Sequence, residues 1–157
     1  MKYHLAYLPP NLAKLGVKRI GWPISPDLET IYCAGYADIV IIVGNIVDSA
    51  GIEKHVITSG YRDDWRRSGH TSEHHFALAL DVAFESPQDV IRFGEAADGM
   101  CTRLGLYPAR GFAHVGFAPH VWITHYRKWS YWVDMGDKGL VGCKAHAELI
   151  KKAKEMV

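Results

Sequence analysis

The sequence predicts an α+β domain, a small and largely antiparallel sheet flanked by helices. Two long stretches carry apolar residues at helical spacing behind Ser-Pro dipeptides, Ser25-Pro26 and Ser86-Pro87. Between and after them come short apolar runs of strand length, at Val56–Thr58, Leu78–Phe84 and Phe112–Phe117. The chain has 157 residues, of which 48% are hydrophobic and 22% charged. That is enough for one sizeable core and too little for two ordinary domains, so residues 1–157 are read as a single domain.

Residues 1–24 are punctuated by Pro9, Pro10, Gly16, Gly21 and Pro23 and read as an irregular wrap. A Ser hydroxyl can cap a helix, and Pro suits its first turn, so a helix is expected from Ser25-Pro26. Leu28, Ile31, Tyr32, Ile39, Ile42, Val43, Ile46 and Val47 continue it until Gly51. Val56-Ile57-Thr58 is a short β-branched strand leading into Gly60, and residues 63–75 are polar and irregular. Leu78 to Phe84 reads as a buried central strand. Ser86-Pro87 starts a second helix carried by Val90, Ile91, Phe93, Ala96, Ala97, Met100 and Leu104. Strands are expected at 112–117 and 121–126, and a closing helix from Leu140 to Met156, with lysines late in it where they favour the C-terminal dipole.

Net charge is +1, which gives no electrostatic case for nucleic acid or for an anionic membrane as partner. The longest apolar run, Ile39 to Val43, is far short of the roughly 20 residues that cross a bilayer. Met1 to Pro10 lacks the apolar stretch of a signal peptide. Cys33, Cys101 and Cys143 are odd in number and widely spaced, so they read as free thiols or small hydrophobes. Synthesis in a reducing cytoplasm is the expectation.

The chemistry concentrates in Ser72-Glu73-His74-His75-Phe76-Ala77-Leu78-Ala79-Leu80-Asp81 and in His114. A lone histidine is more often a surface or core residue than a ligand. Asp81, however, lies within Ala79-Leu80-Asp81-Val82-Ala83-Phe84, where an unpaired carboxylate would cost several kcal/mol to bury. It either turns outward, pairs with Arg62, or is compensated by a cation. His114 is anomalous in the same way among Phe112, Val115 and Phe117. Two imidazoles and one carboxylate suit a zinc ion that keeps its fourth position open, whereas a closed structural site would want four protein ligands. Arg62 follows a tight turn, and its planar fork could bind a carboxylate or an oxyanion. Trp129, Tyr131 and Trp132 are core residues by default, with a cleft wall or a sugar-stacking surface as alternatives.

Three blocks occur in order: Ser59-Gly60-Tyr61-Arg62, then Ser72 to Asp81 in the pattern Ser-x-His-x-x-(Gly/Ala)-x-Ala-x-Asp, then Gly105 to Val115 with Gly-x-Tyr-Pro and Gly-Phe-x-His-Val. Together they resemble the zinc D-alanyl-D-alanine carboxypeptidase family, which shares a fold with the hedgehog signalling domain and phage endolysin peptidases. The resemblance covers about residues 55–130. It implies a hedgehog/DD-peptidase-like fold, with His74, Asp81 and His114 as ligands to Zn2+, Arg62 as the catalytic arginine, and Ser72 against the substrate. It further implies hydrolysis of amide bonds in peptidoglycan stem peptides, as a carboxypeptidase or endopeptidase. A phage or prophage lysin released to the cell wall is one such enzyme.

The chain departs from that pattern at two positions. Ala77 stands where Gly is usual, and Gly116 stands where the Phe-x-His-Val branch continues with Asp. Pro108-Ala109-Arg110-Gly111 offers no acidic residue before His114 either. A hydrolase needs a group that takes a proton from the attacking water. Glu73, His75 and His120 are the candidate substitutes, and spacing places none of them at the site. The alternative function is a non-catalytic zinc-binding module that binds cell-wall peptides or serves assembly.

Overall fold

The computed structural model describes residues 29–60, 73–76, 78–117 and 129–157. Their elements run α1 (Glu29–Ser49), β1 (His55–Ser59), β2 (Ala79–Phe84), α2 (Pro87–Ala96), β3 (Arg103–Tyr107), β4 (Phe112–Gly116), β5 (Tyr131–Asp134), β6 (Leu140–Cys143) and α3 (His146–Lys154). A 3-10 turn at Glu73–Phe76 precedes β2. The strands form one six-stranded sheet in the order β1-β2-β4-β3-β5-β6. All neighbours are antiparallel except β3 and β5. The α+β class with a mostly antiparallel sheet is therefore what the chain adopts.

Successive side chains on a strand point to opposite faces, so the register sorts the sheet into two kinds of cross-strand row. One row reads Ile57, Val82, Ala113, Leu106, Val133 and Val141, apolar throughout. It faces the helices and joins one core with Val43, Ile46 and Val47 of α1, Val90 and Phe93 of α2, and Leu149 and Ala153 of α3. At roughly 1.5–3 kcal/mol for each large side chain buried, this face anchors the fold. The adjacent row reads Ser59, Asp81, His114, Gly105, Trp132 and Gly142. Every chemically distinctive residue of the sheet's centre lies on the face away from the helices.

The start of α2 is as its sequence predicts. Ser86 has extended backbone angles, its Oγ accepts from the Asp89 amide at 3.1 Å, and Pro87 opens the helix. The helix ends earlier than its apolar spacing suggests, at Ala96 rather than Leu104. Gly99 takes a left-handed conformation at φ 69°, which ends the helical path and turns the chain into β3. Leu104 and Leu106 then bury on the helix face as strand residues. The closing helix is also shorter, because Leu140–Cys143 pairs with β5 as strand β6 before α3 begins at His146. The strand expected at 121–126 and the wrap over 1–24 lie outside the described residues.

Candidate metal centre

Asp81 on β2 and His114 on β4 are direct cross-strand partners. Facing side chains in an antiparallel pair have their β-carbons about 4.5–5.5 Å apart, so their tips can meet. Asp81 Oδ1 lies 2.9 Å from His114 Nδ1. His74 comes from the 3-10 turn that leads into β2. Its Nε2 is 3.3 Å from Asp81 Oδ1 and 3.2 Å from His114 Nδ1. Each of the three residues offers one ligand atom, and these atoms all lie within 4.8 Å of one another. A tetrahedral zinc with bonds of about 2.0–2.1 Å requires ligand-to-ligand edges of roughly 3.3 Å. The observed triangle of 2.9, 3.2 and 3.3 Å is close to that size.

The histidine nitrogens that face away from the triangle are both engaged. His74 Nδ1 lies 2.8 Å from the Gly60 carbonyl, an acceptor only, so Nδ1 donates there and Nε2, which faces Asp81 and His114, is the nitrogen a metal would take. His114 Nε2 lies 3.2 Å from Glu73 Oε2. Glu73 also accepts from Arg103 Nη1 at 2.5 Å. Both partners are buried, Glu73 at 1% and Arg103 at 8% exposure. Leaving either alone would cost about 3–5 kcal/mol, so the pair holds its position.

Arg103 ties this corner to an aromatic wall. Its Nε donates to the Trp129 carbonyl at 3.0 Å, and its guanidinium carbon lies 4.6 Å from the ring centre of Trp132. The Trp132 ring is 5.2 Å from that of His114, and its Nε1 donates to Tyr107 Oη at 2.8 Å. Gly105 lies between His114 and Trp132 in the row. A β-carbon there would come within 2.2 Å of the indole, so only glycine lets Trp132 lean across toward the histidine. Trp132 is thus a wall of the site rather than part of the helix-facing core.

The electrostatics follow from this crowding. Burial alone would push the Asp81 carboxyl up, but hydrogen bonds and charge attraction from His114 and His74 hold it well below the usual carboxylate range. For His114, burial alone would lower the pKa. Hydrogen bonds that its ring donates to Asp81 and Glu73, with their charges, raise it above the ordinary histidine value. Burial, reinforced by the negative charge of Glu73, pushes the Cys101 thiol up to about 12, which makes it inert as a nucleophile.

The chain matches no protein-family model, no curated protein and no solved structure.

The structure brings together His74, Asp81 and His114, the three residues the sequence singles out as ligands. Arg62 and Ser72 lie outside the described residues, as do His120 and the side chain of His75. Of the three substitutes for the missing acid, Glu73 is the one the structure describes. It is buried against Arg103 and the far nitrogen of His114, which does not suit a base that must meet an attacking water. Sequence reasoning missed Arg103 and the part Trp132 plays. The alternation Arg103-Leu104-Gly105-Leu106-Tyr107 was the available signal, with Leu104 and Leu106 on one face and Arg103, Gly105 and Tyr107 on the other.

Proposed function

We propose that this chain is a zinc-dependent peptidase acting on amide bonds of peptidoglycan stem peptides, on a hedgehog/DD-peptidase-like fold. The observation that carries the reading is the ligand triangle of His74, Asp81 and His114. Its two nitrogens and one carboxylate oxygen come from a turn and two adjacent strands, the order in which the family pattern supplies them. The six-stranded, mostly antiparallel sheet with helices on one face is compatible with that fold. No helix among the described residues is long and apolar enough to cross a membrane.

The donor set suits zinc, since imidazole and carboxylate are among its usual ligands and three protein ligands leave a position open. Bound there, zinc would polarise the scissile carbonyl and ease deprotonation of the attacking water. His74 is held ready by its bond to Gly60, and Asp81 supplies the negative charge. Arg62 would orient a substrate carboxylate or bind the developing oxyanion, and Ser72 would lie against the peptide. Trp132 walls the site beside His114.

The test is digestion of peptidoglycan by zinc-loaded protein, with mass analysis of released peptides, with and without a chelator. Chelator-sensitive release of stem-peptide fragments is the expected outcome. Protein that takes up no zinc would overturn the reading outright. A second reading, a zinc-dependent binding module without hydrolysis, is favoured by the commitment of Glu73 to Arg103 and His114. Zinc-dependent retention of intact stem peptides without cleavage would establish it.

A further inference from the structure

Glu73 lies next in sequence to one candidate ligand and touches another. Its Oε2 is 3.2 Å from His114 Nε2, and Arg103 holds the same oxygen from the opposite strand neighbour, β3. The carboxylate occupies room that exists because residue 116 is glycine. A β-carbon on Gly116 would lie 2.4 Å from Oε1 and 2.7 Å from Oε2. Gly116 is in turn the register partner of Arg103, so acid, arginine and glycine form one packed unit beside His114.

We propose that Glu73, braced by Arg103, is a positioning residue that presents His114 to the metal through Nδ1. The inference rests on the metal-site reading above. A carboxylate oxygen can only accept, so Glu73 keeps the imidazole hydrogen on Nε2, and the hydrogen that a metal displaces is the one on Nδ1, which faces His74 and lies 2.9 Å from Asp81 Oδ1. Without Glu73 the ring loses its acceptor on the far side, and its orientation and choice of nitrogen are held only from the side of Asp81 and Trp132. The acid absent from residue 116 is thus supplied to the same place from the turn carrying His74. It orients a ligand there instead of taking a proton from water.

The proposal is tested on the full chain by 15N NMR of the zinc-loaded, histidine-labelled wild type and by zinc affinity measured in competition with a chromophoric chelator. The expected spectrum has His114 metal-bound at Nδ1 and protonated at Nε2. Coordination through Nε2 would overturn the proposal without any variant. Glu73→Gln keeps an oxygen for both partners, and a small loss of zinc affinity is expected. Glu73→Ala should lose about 10–100-fold. The cobalt-substituted Glu73→Ala protein should also show a changed visible absorption band, which general destabilisation would leave unmoved. Wild-type affinity and an unchanged cobalt spectrum in folded Glu73→Ala would overturn it. If the wild type binds no zinc, the metal-site reading itself falls, which is distinguishable from zinc binding that ignores Glu73.

Discussion

The carboxylate of Glu73 fills the space where a side chain on Gly116 would stand, with Oε1 2.4 Å from the position of a β-carbon there. Residue 116 is fully enclosed by Glu73 and by the strands carrying Ala79 and Arg103. Gly116→Ala should therefore destabilise by about 1–3 kcal/mol, the usual cost of forcing extra atoms into a packed site. Gly116→Asp should cost more, because it sets a second carboxylate against the first. Urea unfolding measures both. A midpoint equal to wild type for Gly116→Ala would show that Glu73 moves aside freely.

Zinc affinity should go on rising with pH beyond the ordinary histidine value. His114 has a raised pKa, so in the metal-free protein its protonated form adds stability that is complete below about pH 6.5 and fades as pH climbs through the folded value. A metal needs the unprotonated nitrogen, so the two effects oppose each other. Asp81 stays anionic across this window and adds no slope. The apparent affinity should climb about tenfold per pH unit for this proton until His114 is neutral. A titration from pH 6 to 8.5 that is level throughout would contradict the picture.

Gly105→Ala should push Trp132 away from His114, since the added atom would lie 2.2 Å from the indole. A loss of about 1–3 kcal/mol is expected, with a shift in tryptophan fluorescence and weaker zinc binding. An unchanged emission maximum would mean that another residue sets the position of the indole.

Arg62→Lys should leave zinc content intact and remove most peptide cleavage, because a point charge does not reproduce a planar fork. Equal turnover by the two proteins would rule out the orienting role given to Arg62.

What the sequence disclosed and what it hid differ in range. Asp81 and His114 were legible because each breaks an apolar run on its own strand, and an expensive local anomaly needs a nearby cause. The capped start at Ser86-Pro87 was legible for a similar local reason. Arg103 was not, because its burial depends on Glu73, 30 positions earlier. Strand β3 was hidden by Leu104, which continues the helical spacing of Ala97 and Met100 even though Gly99 has already broken the helix. Strand β6 was absorbed into the helix that follows it, since its pairing with β5 is a tertiary fact. Trp132 resembled core until the register set it across Gly105 from His114.

The two cross-strand rows make the candidate metal site a reporter of how the sheet was assembled. If β4 slipped by one residue against β2, Val115 or Ala113 would turn to face Asp81 while His114 entered the apolar layer. A slip of two would keep the faces correct but set Phe112 or Gly116 opposite Asp81. Neither arrangement unites the three donors, although both could remain compact. Zinc uptake by refolded protein would therefore count the molecules whose strands are correctly aligned, while helical signal alone would count misaligned ones as well.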